Sequence, residues 1–251
     1  KRNCLYVDKT QYVYELANDL KYVFLSRPRR FGKSLLTSTL ESYFSGQKEL
    51  FKGLAIEQLE KDWTEYPVLH MDLNSRNYVN EEALLDELRK HLELWEDKYG
   101  NQYRDRAIEE RFYHIVRLAY EKTGKRCVIL VDEYDKPLLQ TLSNESLQNS
   151  YRATLKAFYS VLKTQDQYIK FAFLTGVTKF GKVSVFSDLN NLIDLSMDER
   201  YQTLCGITEE EIHHYFEGSV QELAANNHIS YEDALARLER DYDGYHFVAN
   251  G

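Results

Sequence analysis

The chain is poor in the residues that mark exported, metal-framed or disordered proteins. Its three cysteines, Cys4, Cys127 and Cys205, are odd in number and far apart, with neither the pairing of a disulfide framework nor the spacing of a zinc site. They are expected to be reduced thiols of a cytoplasmic protein. Only three prolines and no low-complexity tract occur in 251 residues, which argues against long disordered segments. No apolar run reaches the roughly 18 residues of a membrane helix, and the N-terminus has no signal-like pattern. Positive charge is in deficit too. A net charge of −8 argues against gripping nucleic acid over a broad basic face, although a local basic patch stays open. The sequence lacks an initial methionine and stops at Asn250-Gly251, which reads as a piece of a longer protein.

What is present is the composition of a soluble globular domain, with 43% hydrophobic and 29% charged residues. The length suits one large α/β domain with an appendage, or two small ones. The 20 tyrosines are in excess and read as packing residues, half-buried with the hydroxyl at the surface.

Hydrophobic periodicity orders the elements. Val13, Leu16 and Leu20 recur at helical spacing, and Tyr22 to Leu25 form a short apolar strand. After the segment SRPRRFGKS, Leu36, Leu40 and Tyr43 mark a helix that ends near Gly46. Pro67 to Leu73 is the next strand, followed by helices carrying Leu84, Leu88, Leu92 and Trp95, then Ile108, Phe112, Ile115 and Ala119. The runs CVILVDEYD and FAFLTGV look like strands buried on both faces, with a helix over Tyr151, Leu155, Phe158 and Leu162 between them. Alternating strands and helices predict βαβ units and a mostly parallel α/β sandwich. The first unit is expected to span residues 1–204. From 205 to 251 the pattern turns helical, through Ile212, Tyr215, Phe216 and Leu223, then Ala234, Leu235 and Leu238. This predicts the start of a small helical subdomain, for which a winged-helix arrangement is one option. His213 and His214 lack metal-ligand spacing and are expected to be solvated.

The segment between the first strand and the second helix carries the second half of a P-loop (Walker A) as Gly32-Lys33-Ser34. Arg27 stands where the first loop glycine belongs, and Pro28 after it favours extended backbone and gives no N–H. The remaining N–H series, over Arg30, Phe31, Gly32, Lys33, Ser34 and Leu35, opens a helix, where unpaired donors and the helix dipole favour an anion. Arg27, Arg29, Arg30 and Lys33 place four cations within seven residues of an otherwise acidic chain, which points to a polyphosphate.

The strand CVILVDEYD ends in the carboxylates of a Walker B segment. Asp132 is the candidate Mg²⁺ ligand together with the Ser34 hydroxyl, since this ion takes oxygen donors and keeps several waters. Glu133 is the candidate base that polarises an attacking water. Asp135 is either a further group around the metal or a cap for the segment begun by Lys136 and Pro137. Thr175 and Thr178 are candidates to sense the γ-phosphate, Thr178 being the better placed, with Lys179 as a further contact. Asp72 either supports the site from behind or belongs to a turn.

With these residues in hand, the chain resembles the AAA-ATPase-like family of prokaryotic P-loop NTPases, related to archaeal and STAND-type ATPases. The resemblance runs nearly end to end, through YVDKT, FLSRPRRFGKSLL, LFKGLAI, LVDEYDKPL, FLTGVTKF, LNNLIDLS, CGITEEEI and YDGYHF. It implies a sheet in which the Asp132 strand lies beside an added central strand, with ATP and Mg²⁺ as ligands. It also implies that Lys33 and Ser34 serve phosphate and metal, that Asp132 holds Mg²⁺ and that Glu133 is the base. Members commonly continue into a C-terminal PD-(D/E)XK nuclease-like domain, which points to DNA processing or defence. An arginine finger is not evident, and a partner subunit or domain is one source of it. The leading expectation is an ATPase that couples nucleotide state to a neighbouring domain. The alternatives are a switch that binds ATP or ADP without hydrolysing it, and a purely structural scaffold. No residue reads the base, although Tyr6 and the YVDKT segment are near candidates.

Overall fold

The computed structural model describes residues 5–179, 185–187, 189 and 191–242. Cys4, part of LNNLIDLS, Phe180 and nearly all of YDGYHF therefore lie outside the described residues. The strands β1 (Tyr22–Ser26), β2 (Val68–Asp72), β3 (Cys127–Asp132), β4 (Ile169–Gly176) and β5 (Ile193–Asp194) form one parallel sheet in the order β2-β3-β4-β1-β5. The last of the long strands, β4, sits between β1 and β3, which is the added central strand that the family resemblance implies.

Burial on both faces explains the continuous apolar runs. Val23 and Leu25 of β1, Val128 and Leu130 of β3, and Phe171 and Phe173 of β4 point to one face. There they meet α1 (Thr10–Asp19), α2 (Lys33–Phe44) and α3 (Ile56–Leu59) through Val13, Leu16, Leu36, Leu40 and Ile56. Their neighbours Tyr22, Phe24, Ile129, Val131, Ala172 and Leu174 point to the other face. That face is covered by α4 (Glu81–Tyr99), α5 (Ile108–Thr123) and α7 (Glu145–Thr164), with α6 (Lys136–Gln140) at the end of β3. The edge strand β2 alternates instead, burying Leu69 and Met71 while His70 on the opposite side meets Glu41 of α2 at 2.8 Å.

The tyrosines differ from expectation in one respect: several are wholly buried. The hydroxyls of Tyr22, Tyr78 and Tyr151 donate to the carbonyls of Leu162, Leu73 and Asn80 at 2.9, 2.7 and 2.6 Å, so a main-chain acceptor takes the place of water.

After residue 204 the described chain is helical, in α8 (Glu209–Asn227) and α9 (Tyr231–Tyr242). The start of α8 is a capping box: Thr208 Oγ1 accepts from Glu211 N–H, and Glu211 returns a carboxylate to Thr208 N–H. The two helices pack on each other around Val220, Ala224 and Ala234. His213 and His214 are exposed there, His213 sharing a hydrogen bond with Tyr231 at 3.0 Å.

The end of β4 leaves no room for a side chain at Gly176. A Cβ there would lie 2.6 Å from Tyr134 Cε1 and 2.9 Å from Asp135 Oδ1, and both residues are fully buried. Overpacking of this kind costs about 1–3 kcal/mol. Gly176→Ala is therefore expected to lower the urea midpoint of unfolding, and an unchanged midpoint would show that the packing against Tyr134 is looser than described.

Candidate phosphate site

The cavity at the carboxyl ends of β1, β3 and β4 has a volume of 470 Å³. Its walls are Arg29, Arg30, Gly32, Lys33, Ser34 and Leu35 from the β1–α2 loop, Glu133, Lys136 and Leu139 after β3, Asn74 after β2 and Val177 after β4. Ligand crevices of open α/β sheets lie at such strand ends.

The loop reaches this position by local rules. Arg27 continues the extended strand, donating its N–H to Gly176 O at 3.2 Å, as the following proline requires. The chain then turns through left-handed backbone at Arg30 (φ 68°) and Gly32 (φ 88°). Glycine takes that conformation freely, whereas at Arg30 it is uncommon. The first bond of α2 runs from Leu36 N–H to Gly32 O at 2.9 Å, so the N–H groups of Lys33, Ser34 and Leu35 have no partner inside the helix. No side chain caps them. Phe31 turns its carbonyl away from the cavity and accepts from Gly206 N–H at 3.1 Å.

Lys33 is 3% exposed, yet its ammonium is surrounded by oxygen. It donates to the carbonyls of Arg27 at 3.0 Å and Pro28 at 3.1 Å and pairs with Glu133 Oε1 at 3.1 Å. Glu133 sits in left-handed backbone at φ 57°, a strained state for a side-chain residue. Burial pushes its carboxyl above the ordinary carboxylate pKa. Lys33 opposes that rise, while Asp135 and Asp132 add to it.

Asp132 closes β3, 3% exposed, with Oδ1 accepting from the Thr175 hydroxyl. Glu133 N–H reaches the same hydroxyl at 3.3 Å. Thr175 is thus the threonine at the acidic strand end. Thr178, expected there, is held by Asp135 instead, its N–H at 2.8 Å and its hydroxyl at 3.0 Å from Asp135 Oδ2. The reason is strand register. Thr175 lies within β4 beside β3, whereas Thr178 falls in the turn beyond it. Asp135 is wholly buried and also takes Val177 N–H at 3.2 Å, so it ties the β4 turn to the β3 turn and caps no helix with its side chain.

Three more expectations are corrected or resolved by direction. Arg27 was counted among the loop cations, but it is 1% exposed and donates to the carbonyls of Ser196 at 2.8 Å and Tyr201 at 3.3 Å, behind the loop. Lys179 pairs with Asp194 at 3.1 Å. Asp72 belongs to a turn, accepting from Asn74 N–H at 2.8 Å, and that turn brings Asn74 to the cavity. Asn74 and Lys136 were not singled out as site residues. Lys136 was legible only as the residue that follows the acidic cluster.

Among the described residues no group of three or more His, Cys, Asp or Glu side chains could hold a metal. Of the two expected metal ligands Ser34 lines the cavity, whereas Asp132, 3% exposed and bonded to Thr175, is not among its lining residues. A cation held by so few protein ligands must complete its shell with phosphate oxygens and water, which is the habit of Mg²⁺.

The raised Glu133 carboxyl has a consequence for stability. As pH rises past the ordinary carboxylate value, the unfolded chain releases this proton before the folded protein does, so the fold loses stability until Glu133 itself has ionised. Glu133→Gln lacks this component. Its advantage over the wild type in urea unfolding should therefore grow with pH across that window and level off above it. A difference independent of pH from about 4 to about 8 would contradict the assignment.

Comparison with known proteins agrees with this geometry. Residues 1–186 match the family described as "Predicted AAA-ATPase". A protein of Azotobacter chroococcum mcd 1, described as "Uncharacterized protein in vnfD 5'region", is 41% identical over 208 residues. The match takes in 82% of this chain and 40% of that protein, so the chain spans well under half of its relative. With its parallel sheet, central β4 and loop between β1 and α2, the chain belongs to the AAA-ATPase-like family of predicted AAA-ATPases.

Proposed function

We propose that this domain binds ATP with Mg²⁺ in the 470 Å³ cavity and hydrolyses it. The observation that carries the reading is the convergence of Lys33 and Glu133, 3.1 Å apart, beside a helix start whose N–H groups are unused. The helix start and Lys33 hold the phosphates, with Arg29 and Arg30 adding charge from the same loop. Ser34 and Asp132 hold Mg²⁺, which when bound neutralises phosphate charge as a Lewis acid.

Glu133 acts as the general base. A water oxygen bonds to the γ-phosphorus while the bond from that phosphorus to the bridging oxygen breaks, its electron pair leaving on ADP. The water proton passes to the Glu133 carboxylate and from there to solvent. A carboxyl raised by burial is better matched to this task near neutral pH than an ordinary one. Thr175, bonded to Asp132 and to Glu133 N–H, positions both carboxylates and takes the place at the strand end first given to Thr178.

The Lys33–Glu133 pair also favours a second reading, a nucleotide-dependent switch. Before ligand enters, the lysine that should hold phosphate is spent on the base. Entry of phosphate must draw Lys33 away and release Glu133, so binding alone changes the site. We extend either reading to coupling with a further domain. The proposed boundary near residue 204 is supported by the separate cluster that α8 and α9 form, and the relative extends well beyond the matched region. A nuclease-like partner and a role in DNA processing rest on the family resemblance.

Phosphate release measured with Mg²⁺ and ATP tests the hydrolytic reading. Glu133→Gln should cut turnover by roughly a hundredfold or more while keeping ATP affinity, and Lys33→Ala should abolish binding. Wild-type turnover no higher than that of Glu133→Gln would sink hydrolysis in favour of the switch. Absence of binding in the wild type would leave only a scaffold.

A further inference from the structure

Among the described residues Lys33 is the cavity cation with an acidic partner, and Arg29, Arg30 and Lys136 have none. Arg29 and Arg30 are exposed and can remain hydrated. Lys136 cannot do so to the same extent, because it is half-buried and shares its wall of the cavity with Leu139. With Lys136 the cavity is lined by four cations, Arg29, Arg30, Lys33 and Lys136, a lining that attracts an anion.

Its place in the fold says which part of an anion it meets. Arg29, Arg30, Lys33 and Ser34 all come from the β1–α2 loop, whose unused N–H groups serve phosphates that a diphosphate and a triphosphate have in common. Lys136 comes from the other wall, the turn after β3. Its N–H donates to Glu133 O at 3.0 Å, so the ammonium and the carboxylate belong to one tight turn. A base that activates water for attack must stand at the terminal phosphate. Lys136 follows on the same turn and lines the same cavity as Glu133.

We propose that Lys136 recognises the terminal phosphate of the nucleotide and so distinguishes the triphosphate from the diphosphate. This rests on the nucleotide-binding reading above, and it holds whether the triphosphate is hydrolysed or only sensed. It makes the chain self-sufficient in a γ-phosphate contact that the sequence had left to Thr178 or to a partner. Engagement of Lys136 also bears on Glu133 through their shared turn, at the moment when phosphate takes Lys33 from the carboxylate.

Calorimetric titration with Mg²⁺ and either ADP or a non-hydrolysable ATP analogue tests the assignment without depending on turnover. Lys136→Met should weaken the triphosphate analogue by roughly tenfold and ADP by less than about twofold, since it loses one charge-assisted contact to the terminal phosphate. Lys136→Arg, which keeps the charge, should recover most of the difference. Equal weakening of both ligands, loss of both, or no change in either would overturn the proposal while wild-type binding leaves the nucleotide reading standing. A wild type that binds neither ligand overturns both.

Discussion

The two halves of the candidate site come from strands that do not touch, and the last residues of β4 are what join them. Arg27, at the start of the loop, donates to Gly176 O, and Tyr134, after the acidic pair, donates to Thr175 O at 2.9 Å. The Thr175 hydroxyl binds Asp132 and receives Glu133 N–H. One residue further on, the backbone of Val177 and Thr178 is held by Asp135. A single strand end thus sets the distance between the phosphate loop and the carboxylates, and the tolerance is small. Gly176 has no Cβ because Tyr134 occupies the space, and Tyr134 is fixed in turn by an edge-to-face contact with Phe24 of β1 at 5.5 Å. Packing at this junction and chemistry in the cavity cannot be altered independently.

That rigidity lets the protein keep groups that an unconstrained chain would not. Glu133 combines left-handed backbone, burial and two neighbouring aspartates, each of which disfavours its ionised state or its conformation. Lys33 gives partial relief, yet the net effect still raises the Glu133 carboxyl. The 3.1 Å ion pair therefore offsets only part of the desolvation of the Glu133 carboxylate. The energetic cost is confined to one turn and is borne by the apolar layers on both faces of the sheet.

Much of this was legible in the sequence where one physical rule acts alone. Strands buried on both faces must be apolar throughout, so β1, β3 and β4 stood out. The strand-end positions of Gly32, Lys33, Ser34 and Glu133 follow the same logic, and all four line the cavity. Direction was not legible. Arg27 looks like its neighbours in a basic run, but extended backbone turns its side chain behind the loop. Thr175 and Thr178 differ by where β4 ends, at Gly176, a tertiary fact. Lys136 and Asn74 reach the cavity through turns whose shape depends on buried carboxylates, Asp135 in one case and Asp72 in the other being read as alternatives.

The misjudged arginine has the widest structural reach. By bonding the carbonyls of Ser196 and Tyr201, Arg27 ties the loop start to the segment that leads into the helical part. Phe31 does the same from the loop tip, with its carbonyl on Gly206 N–H, two residues before the Thr208 cap of α8. Lys9, before α1, closes the connection with an ion pair to Glu211 in the first turn of α8. These bonds are directional and at least the Arg27 pair is buried, so they hold the loop and the segment before α8 in register. The loop that forms one wall of the cavity is consequently also a wall of the passage into α8. Under the proposed reading, phosphate draws Lys33 from the carbonyls of Arg27 and Pro28, and Arg27 then loses a ligand on one side while remaining bound to Ser196 and Tyr201 on the other. The connection between the loop around Lys33 and the start of α8 thus runs through Arg27, Phe31 and Lys9 of this chain itself.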